Sequence, residues 1–231
     1  VLRDELPYHT RLKTCQEGET FRADGLYHPL LEDCVSNSLT LCGQSALITG
    51  SNMSGKTTFI RAVGVSVLCG KALDTCFAEA FCLLPDTKLH SAIHVEDDLM
   101  AGRSLFLQEV QTMKEMLEQS KQGSCLFLLD ELFKGTNTTE RIAIAKAVLA
   151  ALATQRNIVF ASTHDIELAS LLAGQYSLYH FCETISDDKL SFDYLLKPGP
   201  VTERNAIRII ELYGYPAEVV EEARRWAEGD N

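Results

Sequence analysis

The alternation of apolar and polar residues divides most of the chain into short strands and amphipathic helices. Continuous apolar runs at 46–48, 126–129 and 158–161 are typical of strands that are buried on both faces of a parallel sheet. Apolar residues at helical spacing recur over 105–117 and 139–154. Strands that alternate with helices predict an α/β fold, with a mostly parallel sheet flanked by helices on both faces.

Weaker patterns predict further helices and strands in three segments. Alternation over 39–49 predicts a strand that leads into a glycine-rich loop. Residues 78–95 contain short apolar runs broken at Pro85, which predicts strands joined by a turn. A short helix is predicted over 165–173.

The C-terminal part of the sequence predicts a hairpin followed by two helices. The runs 176–183 and 190–196 favour two strands that turn at 187–188. A Pro-Gly-Pro break at 198–200 then separates the hairpin from two helices, which are hinged at 214–216.

The glycine-rich loop at 50–57 reads G-x-x-x-x-G-K-T, which is the spacing of a phosphate-binding P-loop. Glycines at both ends let the backbone wrap a polyphosphate, Lys56 can reach the outer phosphates, and the Thr57 hydroxyl can ligate Mg²⁺. An apolar strand precedes the loop and a helical pattern that begins at Phe59 follows it. The alternative is a turn with a chance lysine, and the strand–loop–helix order favours the P-loop.

Two carboxylates, Asp130 and Glu131, end the apolar run 126–129. In open α/β sheets ligands gather at the C-terminal ends of the strands, so Asp130 is placed to hold Mg²⁺, directly or through water. Glu131 is placed to polarise the attacking water as a general base. The alternative is a strand that simply ends in solvated acids, which the P-loop upstream disfavours.

Two further segments carry polar groups that could reach a phosphate. His164 follows the run 158–161 and can contact the γ-phosphate; a lone histidine at a strand end is usually structural, but the ordered set of motifs favours the phosphate role. Gly102 and Ser104 precede the helix 105–117 and could offer N–H groups and a hydroxyl to a phosphate. Taken alone, this second segment is simply a helix cap.

The 231 residues carry a net charge of −11. Contact with duplex phosphates needs clustered Lys and Arg, so a chain this acidic is a poor binder of duplex DNA on its own. Any DNA-binding role is therefore expected to come through other parts or partners.

Eight cysteines are scattered through the sequence without a C-x-x-C pair or a Cys/His metal spacing, which predicts free thiols in a reducing cytosol. No run reaches the ~18 apolar residues of a membrane helix, and no signal-peptide pattern occurs. We therefore expect a cytoplasmic protein with no membrane partner. The chain begins with Val1 rather than Met, which predicts a piece of a longer protein.

Four motifs occur together in a fixed order. They read T-G-S-N-M-S-G-K-T-T at 49–58, D-D-L-M-A-G-R-S-L-F at 97–106, D-E-L-F-K-G-T-N at 130–137 and S-T-H-D at 162–165. In order and spacing they resemble the MutS family of DNA mismatch-repair ATPases. N-M-x-G-K and D-E-x-x-x-G-T-[NS] are specific to this branch of the ABC-type ATPases, and the resemblance covers roughly residues 20–228.

The resemblance implies a P-loop NTPase of ABC type with a C-terminal helical tail. It implies a lead-in from an upstream region over 1–20, an ATPase domain over 21–200 and a helix pair for dimerisation over 201–231. It also implies that the domain hydrolyses ATP to ADP and phosphate in composite sites of a homodimer. DNA would be held by upstream domains of the full-length protein.

The same resemblance implies the nucleotide and metal contacts, residue by residue. Mg²⁺ is expected on Thr57 and Asp130, and Lys56 is expected to serve catalysis as well as binding. ATP or ADP is expected on the loop residues Gly50, Ser51, Asn52, Met53, Ser54, Gly55, Lys56, Thr57 and Thr58.

Four more roles are implied in the same way. The attacking water is expected on Glu131 and the γ-phosphate on His164. Ser104 is expected to reach across the dimer interface to the γ-phosphate bound by the partner, and the ring of Tyr194 is expected to stack on adenine.

Several positions depart from the family pattern. Ser51 and Ser54 replace the Pro and Gly that are common in mismatch-repair members. Cys34 lies where many members place an aromatic ring under adenine, and Leu-Phe-Lys at 132–134 replaces the usual Ile-Gly-Arg. These departures indicate a divergent MutS-like branch.

Two alternatives to a mismatch-repair ATPase follow from the sequence. A transporter or SMC-type ATPase is disfavoured, because the signature L-S-G-G-Q is absent and Gly-Arg-Ser at 102–104 stands in its place. A MutS-like ATPase with a structural or signalling role, and no mismatch recognition, is the other alternative, and the acidity and the departures favour it.

Overall fold

The computed structural model describes residues 6–93, 105–154, 156–186, 189–201 and 205–228. Within these ranges the helices are α1 (Lys56–Leu73), α2 (Leu105–Gln119), α3 (Thr138–Leu152), α4 (Glu167–Leu172), α5 (Ala206–Leu212) and α6 (Ala217–Glu228). The strands are β1 (Lys13–Thr14), β2 (Phe21–Leu26), β3 (Asn37–Leu41), β4 (Ser45–Thr49), β5 (Ala80–Leu83), β6 (Lys88–Ala92), β7 (Cys125–Asp130), β8 (Ile158–Thr163), β9 (Tyr176–His180), β10 (Glu183–Ser186), β11 (Lys189–Phe192) and β12 (Lys197–Pro198).

A central six-stranded sheet has the strand order β12-β9-β4-β8-β7-β6. Its strands run parallel except for the edge strand β12, which is antiparallel to β9. β4, β7 and β8 are buried along their whole length, as their continuous apolar runs predict. The predicted α/β fold with flanking helices is therefore confirmed.

Different helices cover the two faces of this sheet. Successive residues of a strand point to opposite faces, so β7 contributes to two separate cores. Leu126 and Leu128 pack in the core that contains α1, whereas Phe127 and Leu129 pack in the core that contains α2, α3 and α4. The sheet is thus the middle layer of the fold.

A second sheet, in the order β1-β5-β2-β3, shares the core that contains α1. It corrects one prediction, because 39–49 forms two strands, β3 and β4, that belong to different sheets. The break falls at 42–44, where Gly43 has φ 84°, a left-handed conformation that ends the strand. β1 pairs with β5, so part of the predicted lead-in joins this sheet.

The predicted hairpin of 176–183 with 190–196 is wrong in its first strand. β9 belongs to the central sheet, where it runs parallel to β4 and its first residue, Tyr176, is fully buried. The hairpin is instead formed by β10 and β11. The predicted turn at 187–188 lies outside the described residues.

The predicted helical tail is present as α5 and α6, and the predicted hinge at 214–216 lies between them. Gly214 has φ 75° at this hinge. Val220 is buried, whereas Trp226 is 67% exposed. The dimerisation role of the tail and the domain boundaries stay predictions. In the part of the chain that the structure describes, no helix has the length and apolarity needed to cross a bilayer.

Candidate nucleotide-binding site

The loop between β4 and α1 has a backbone that only glycine can adopt without strain at two points. Gly50 has φ 141° and Gly55 has φ 112°. A Cβ on Gly50 would also lie 2.4 Å from the carbonyl oxygen of Phe181, which is too close for any side chain. These glycines therefore shape the loop, as the P-loop spacing predicts.

Lys56 is the first residue of α1 and is 4% exposed. Its Nζ donates hydrogen bonds to the carbonyl oxygens of Gly50 at 2.8 Å and Ser51 at 2.7 Å. Burial lowers the pKa of Lys56, although the carboxylates of Glu131 and Asp130 act in the opposite direction. The ammonium thus lies inside the loop, close to two carboxylates.

Thr57 and Asp130 are in direct contact. The hydroxyl of Thr57 donates to Asp130 Oδ2 at 2.8 Å, and the hydroxyl of Ser162 donates to the other carboxylate oxygen. Parallel pairing of β7 with β8 sets Asp130 opposite Ser162, so the sheet itself produces this arrangement. The two predicted Mg²⁺ ligands therefore lie together at the carboxyl end of β7.

Glu131 is 8% exposed and has φ 50°, in the left-handed region. Its Oε1 lies 3.6 Å from Lys56 Nζ and 3.7 Å from His164 Nδ1, and its Oε2 lies 2.5 Å from Lys134 Nζ. Burial alone would raise the pKa of Glu131, but the Lys134 ammonium, aided by Lys56 and His164, lowers it below its ordinary value. The carboxylate is therefore held ionised.

His164 follows β8, where its ring is 44% exposed, and its Nε2 lies 3.9 Å from Asp165 Oδ1. Asp165 itself is buried and accepts two hydrogen bonds from Arg141, at 2.8 and 2.6 Å. This bidentate pair ties α3 to the loop that carries His164 and fixes the position of the histidine.

A cleft of about 890 Å³ runs past these groups. The P-loop and the carboxyl end of β7 form one wall of the cleft. Residues between 26 and 35, together with Asn37, form the other wall. Cys34 and Val35 line this second wall and supply no aromatic ring. Most of the predicted site residues of the described chain line this cleft.

Tyr194 lies at the mouth of the cleft and is 44% exposed. Its ring stacks on Phe192, with centroids 5.8 Å apart. The side-chain amide of Asn37 spans this segment, because it donates to Tyr194 O at 3.0 Å and accepts from Leu196 N–H at 2.6 Å. Tyr194 is therefore tied to the second sheet through Asn37.

The predicted site residues divide into four groups. Gly50 and His164 lie beside the cleft but do not line it. Asn52, Met53, Gly55, Lys56, Thr57, Thr58, Asp130, Glu131 and Tyr194 line the cleft. The side chains of Ser51 and Ser54 make contacts within the protein: Ser51 Oγ donates to Glu183 at 2.6 Å, and Ser54 Oγ donates to the Ser51 carbonyl at 2.8 Å. Ser104 lies outside the described residues. The functional roles of all these residues stay predictions.

Two residues of the site were missed by sequence reasoning. Lys134 contacts Glu131, and its only sequence signal is that it lies in the departure from the family pattern at 132–134. Glu183, which is 8% exposed, receives the Ser51 hydrogen bond across 132 positions of sequence, and no local pattern indicates that contact.

Comparison with known proteins identifies the family. A family model described as MutS domain V matches residues 46–229. The chain is 32% identical over 210 residues to the DNA mismatch repair protein MutS of Thermus thermophilus, covering 90% of this chain and 26% of that protein. It is 34% identical over 229 residues to the DNA mismatch repair protein MutS 2 of Halobacterium salinarum, covering 94% and 26% respectively. The chain belongs to the MutS family and spans about a quarter of the length of these relatives.

Proposed function

We propose that this chain is the ATP-binding and ATP-hydrolysing domain of a MutS-like DNA mismatch repair protein, in which nucleotide drives conformational switching of a DNA-binding dimer. The supporting observation is the contact of Thr57 with Asp130 at 2.8 Å, beside the buried ammonium of Lys56. It joins the two predicted Mg²⁺ ligands next to the predicted phosphate loop. Similarity to proteins named DNA mismatch repair protein MutS supports the repair assignment.

Polyphosphate is expected at the N-terminus of α1. The first N–H groups of a helix have no partner inside it, and the helix dipole is positive there, so both favour an anion. Positive φ at Gly50 and Gly55 shapes the loop backbone, and Lys56 adds a full positive charge. A cleft of about 890 Å³ is large enough for a nucleotide.

Mg²⁺ fits the oxygen groups at this end of the cleft. A hydroxyl and a carboxylate are hard donors, and Mg²⁺ usually takes one or two protein ligands together with waters and phosphate oxygens. The described residues contain no group of three His, Cys, Asp or Glu side chains that could hold a metal by themselves. Thr57 and Asp130 would hold the ion, which neutralises charge on the β- and γ-phosphates when bound.

Hydrolysis requires a base for the attacking water, and we propose Glu131 for this role. Its ionised carboxylate lies near Lys56, which is expected at the outer phosphates, so Oε1 can accept a proton from water on the γ-phosphate side. His164, 3.7 Å from the same oxygen, is placed to contact the γ-phosphate. The products are ADP and inorganic phosphate.

We propose that two copies of the chain form composite sites, in which the partner subunit's Ser104 completes each γ-phosphate site. The net charge of −11 disfavours DNA contact by this domain alone, so DNA is assigned to other parts of a longer, cytoplasmic protein. α5 and α6 are proposed to contribute to the dimer.

A MutS-like ATPase without mismatch recognition is the second candidate function. The acidity of the chain and the Leu-Phe-Lys sequence at 132–134 favour it. Membership of the MutS family decides against a transporter or SMC-type ATPase. Gel shifts with the full-length protein separate the two remaining candidates, since only a repair protein should prefer heteroduplex to homoduplex DNA.

The proposed activity is tested by measuring phosphate release from ATP by the chain with Mg²⁺ and with excess EDTA. Wild type should release phosphate only with Mg²⁺. Glu131→Gln should still bind ATP but lower the rate by about 10²–10⁴-fold, because the neutral amide cannot take up the proton of the attacking water. The exposed Glu17→Gln is the matched control and should match wild type. Wild-type turnover by Glu131→Gln would remove Glu131 as the base.

A further inference from the structure

Lys134 forms the shortest ion pair of Glu131 in the described chain. Its Nζ lies 2.5 Å from Glu131 Oε2, whereas Lys56 Nζ lies 3.6 Å from Oε1. The Glu131 carboxylate is 8% exposed and the Lys134 side chain is 36% exposed, so the lysine reaches inward from the rim of the cleft. A pair at this distance is a charge-assisted hydrogen bond rather than a distant attraction.

The two oxygens of this carboxylate therefore have different surroundings. Oε2 is occupied by Lys134, and Oε1 faces both Lys56 and His164, at 3.6 and 3.7 Å. Lys56 and His164 are the two groups expected at the γ-phosphate. Holding Oε2 thus turns Oε1 towards the place where the attacking water is expected.

The backbone around Lys134 is fixed by packing. Phe133 is 1% exposed, has φ 60°, and donates its N–H to Glu109 Oε1 of α2 at 3.1 Å. Its ring contacts Phe106 of α2 at 6.3 Å between centroids. Non-glycine residues persist in this left-handed region only where the surroundings hold them, so the start of the Lys134 side chain has a defined position.

We propose that Lys134 is a positioning residue for hydrolysis: it holds one oxygen of the Glu131 carboxylate, and thereby orients the other oxygen towards the attacking water. The proposal rests on the proposed ATPase function and deepens it. Lys134 acts through Glu131 and does not itself bind the phosphates. The competing role is that of a phosphate ligand, since Lys134 also lines the cleft.

The experiment compares Lys134→Met, Lys134→Arg and the control Lys146→Met, which replaces an exposed lysine of α3. Lys134→Met should lower kcat by about ten- to hundredfold, because the base loses its orientation. KM and the Kd of a fluorescent ATP analogue should stay within about twofold of wild type, since ground-state binding is unchanged. Lys134→Arg should recover most of the rate, because guanidinium also pairs with a carboxylate.

The double variant Glu131→Gln with Lys134→Met shows whether Lys134 acts through Glu131. Under single-turnover conditions it should be no slower than Glu131→Gln alone, since a positioning residue has no effect once its target is gone. A further drop in rate, or a weaker Kd with unchanged kcat in Lys134→Met, would make Lys134 an independent phosphate ligand and overturn the proposal.

The remaining outcomes separate this proposal from the one on which it rests. An active wild type together with an equally active Lys134→Met overturns the positioning role and leaves the ATPase assignment intact. A wild-type chain that releases no phosphate overturns both.

Discussion

Lys56 makes contacts inside the protein, and under the proposed function it also binds the ligand. Its Nζ is bonded to two loop carbonyls and lies 3.6 Å from Glu131, so it offsets the charge of nearly buried carboxylates. Under the proposed function the same ammonium meets the outer phosphates. Removing this cation leaves the buried carboxylates with less compensating charge, beside the position proposed for the phosphates, so the cost exceeds that of the lost hydrogen bonds alone.

Replacing Lys56 with Ala should therefore weaken ATP binding by roughly 3 kcal/mol, or about a hundredfold in Kd. Titration with a fluorescent ATP analogue measures this directly. Lys146→Ala removes an exposed lysine of α3 and should leave Kd unchanged. Equal affinity in Lys56→Ala and in this control would contradict the P-loop assignment.

At the scale of elements, α1 lies directly against β7. A Cβ on Gly64 of α1 would lie 2.8 Å from Leu128 Cδ1 of β7, closer than atoms normally pack. The middle of the helix that begins at Lys56 therefore packs closely on a buried side chain of the strand that ends at Asp130.

Gly64→Val should displace the buried Leu128 side chain from its packed position and lower the free energy of unfolding by about 1–3 kcal/mol. Thermal or denaturant unfolding measures the loss. Gly174→Ala is the control, because a Cβ at that position meets no atom within 4 Å, and it should change stability by less than about 1 kcal/mol. Equal stability of the two variants would show that the contact with Leu128 is unimportant.

The hydrophobic periodicity of the sequence predicted helices and strands well where burial is uniform along the element. The buried runs in β4, β7 and β8 and the helix after the P-loop all appear where the sequence indicates them. It failed for β9, because an apolar run does not specify its partner strand, and β9 pairs with β4 through backbone bonds that any sequence can make. The single strand predicted over 39–49 failed at Gly43, where one left-handed residue separates two sheets.

The motifs of the site could be predicted from the sequence, but most of the contacts between the site residues could not. Thr57 and Asp130 are 73 positions apart, and their meeting follows from strand order once the sheet is known. The pair of Glu131 with Lys134 depends on positive φ at Glu131 and Phe133, which neither residue type indicates. Such conformations are imposed by the surrounding packing and are not specified by local preference.

At the scale of the whole molecule, the charge of −11 bears on the proposed dimer. Two acidic subunits repel each other, and the contacts that both subunits would make to one shared nucleotide with Mg²⁺ would offset that repulsion. Closure of the proposed dimer should therefore need ATP. Activity per subunit should rise with protein concentration, as for any active unit that forms by mass action.

Mixing Lys56→Ala with Ser104→Ala subunits tests the composite site, although Ser104 lies outside the described residues. In the mixed dimer both defects fall in one site, and the other site keeps Lys56 and the partner subunit's Ser104. A mixture of the two inactive variants should therefore regain phosphate release. If activity per subunit did not change on dilution, and mixing restored no phosphate release, the role of Ser104 in the partner's site would be wrong. Ser104 would then be only a helix cap.

The cleft is lined by residues that belong to two different sheets, and this has a consequence for affinity. One wall follows the central sheet, whereas the other follows the second sheet, to which Asn37 ties Tyr194. Under the proposed function, a nucleotide in the cleft would behave as a bivalent ligand, with its base and its polyphosphate as the two ends of a short tether. Its binding strength would depend on how well the spacing of the walls matches the tether, through effective concentration, as much as on either set of contacts. Adenosine and triphosphate added separately would lack this advantage, however well each fits its own wall.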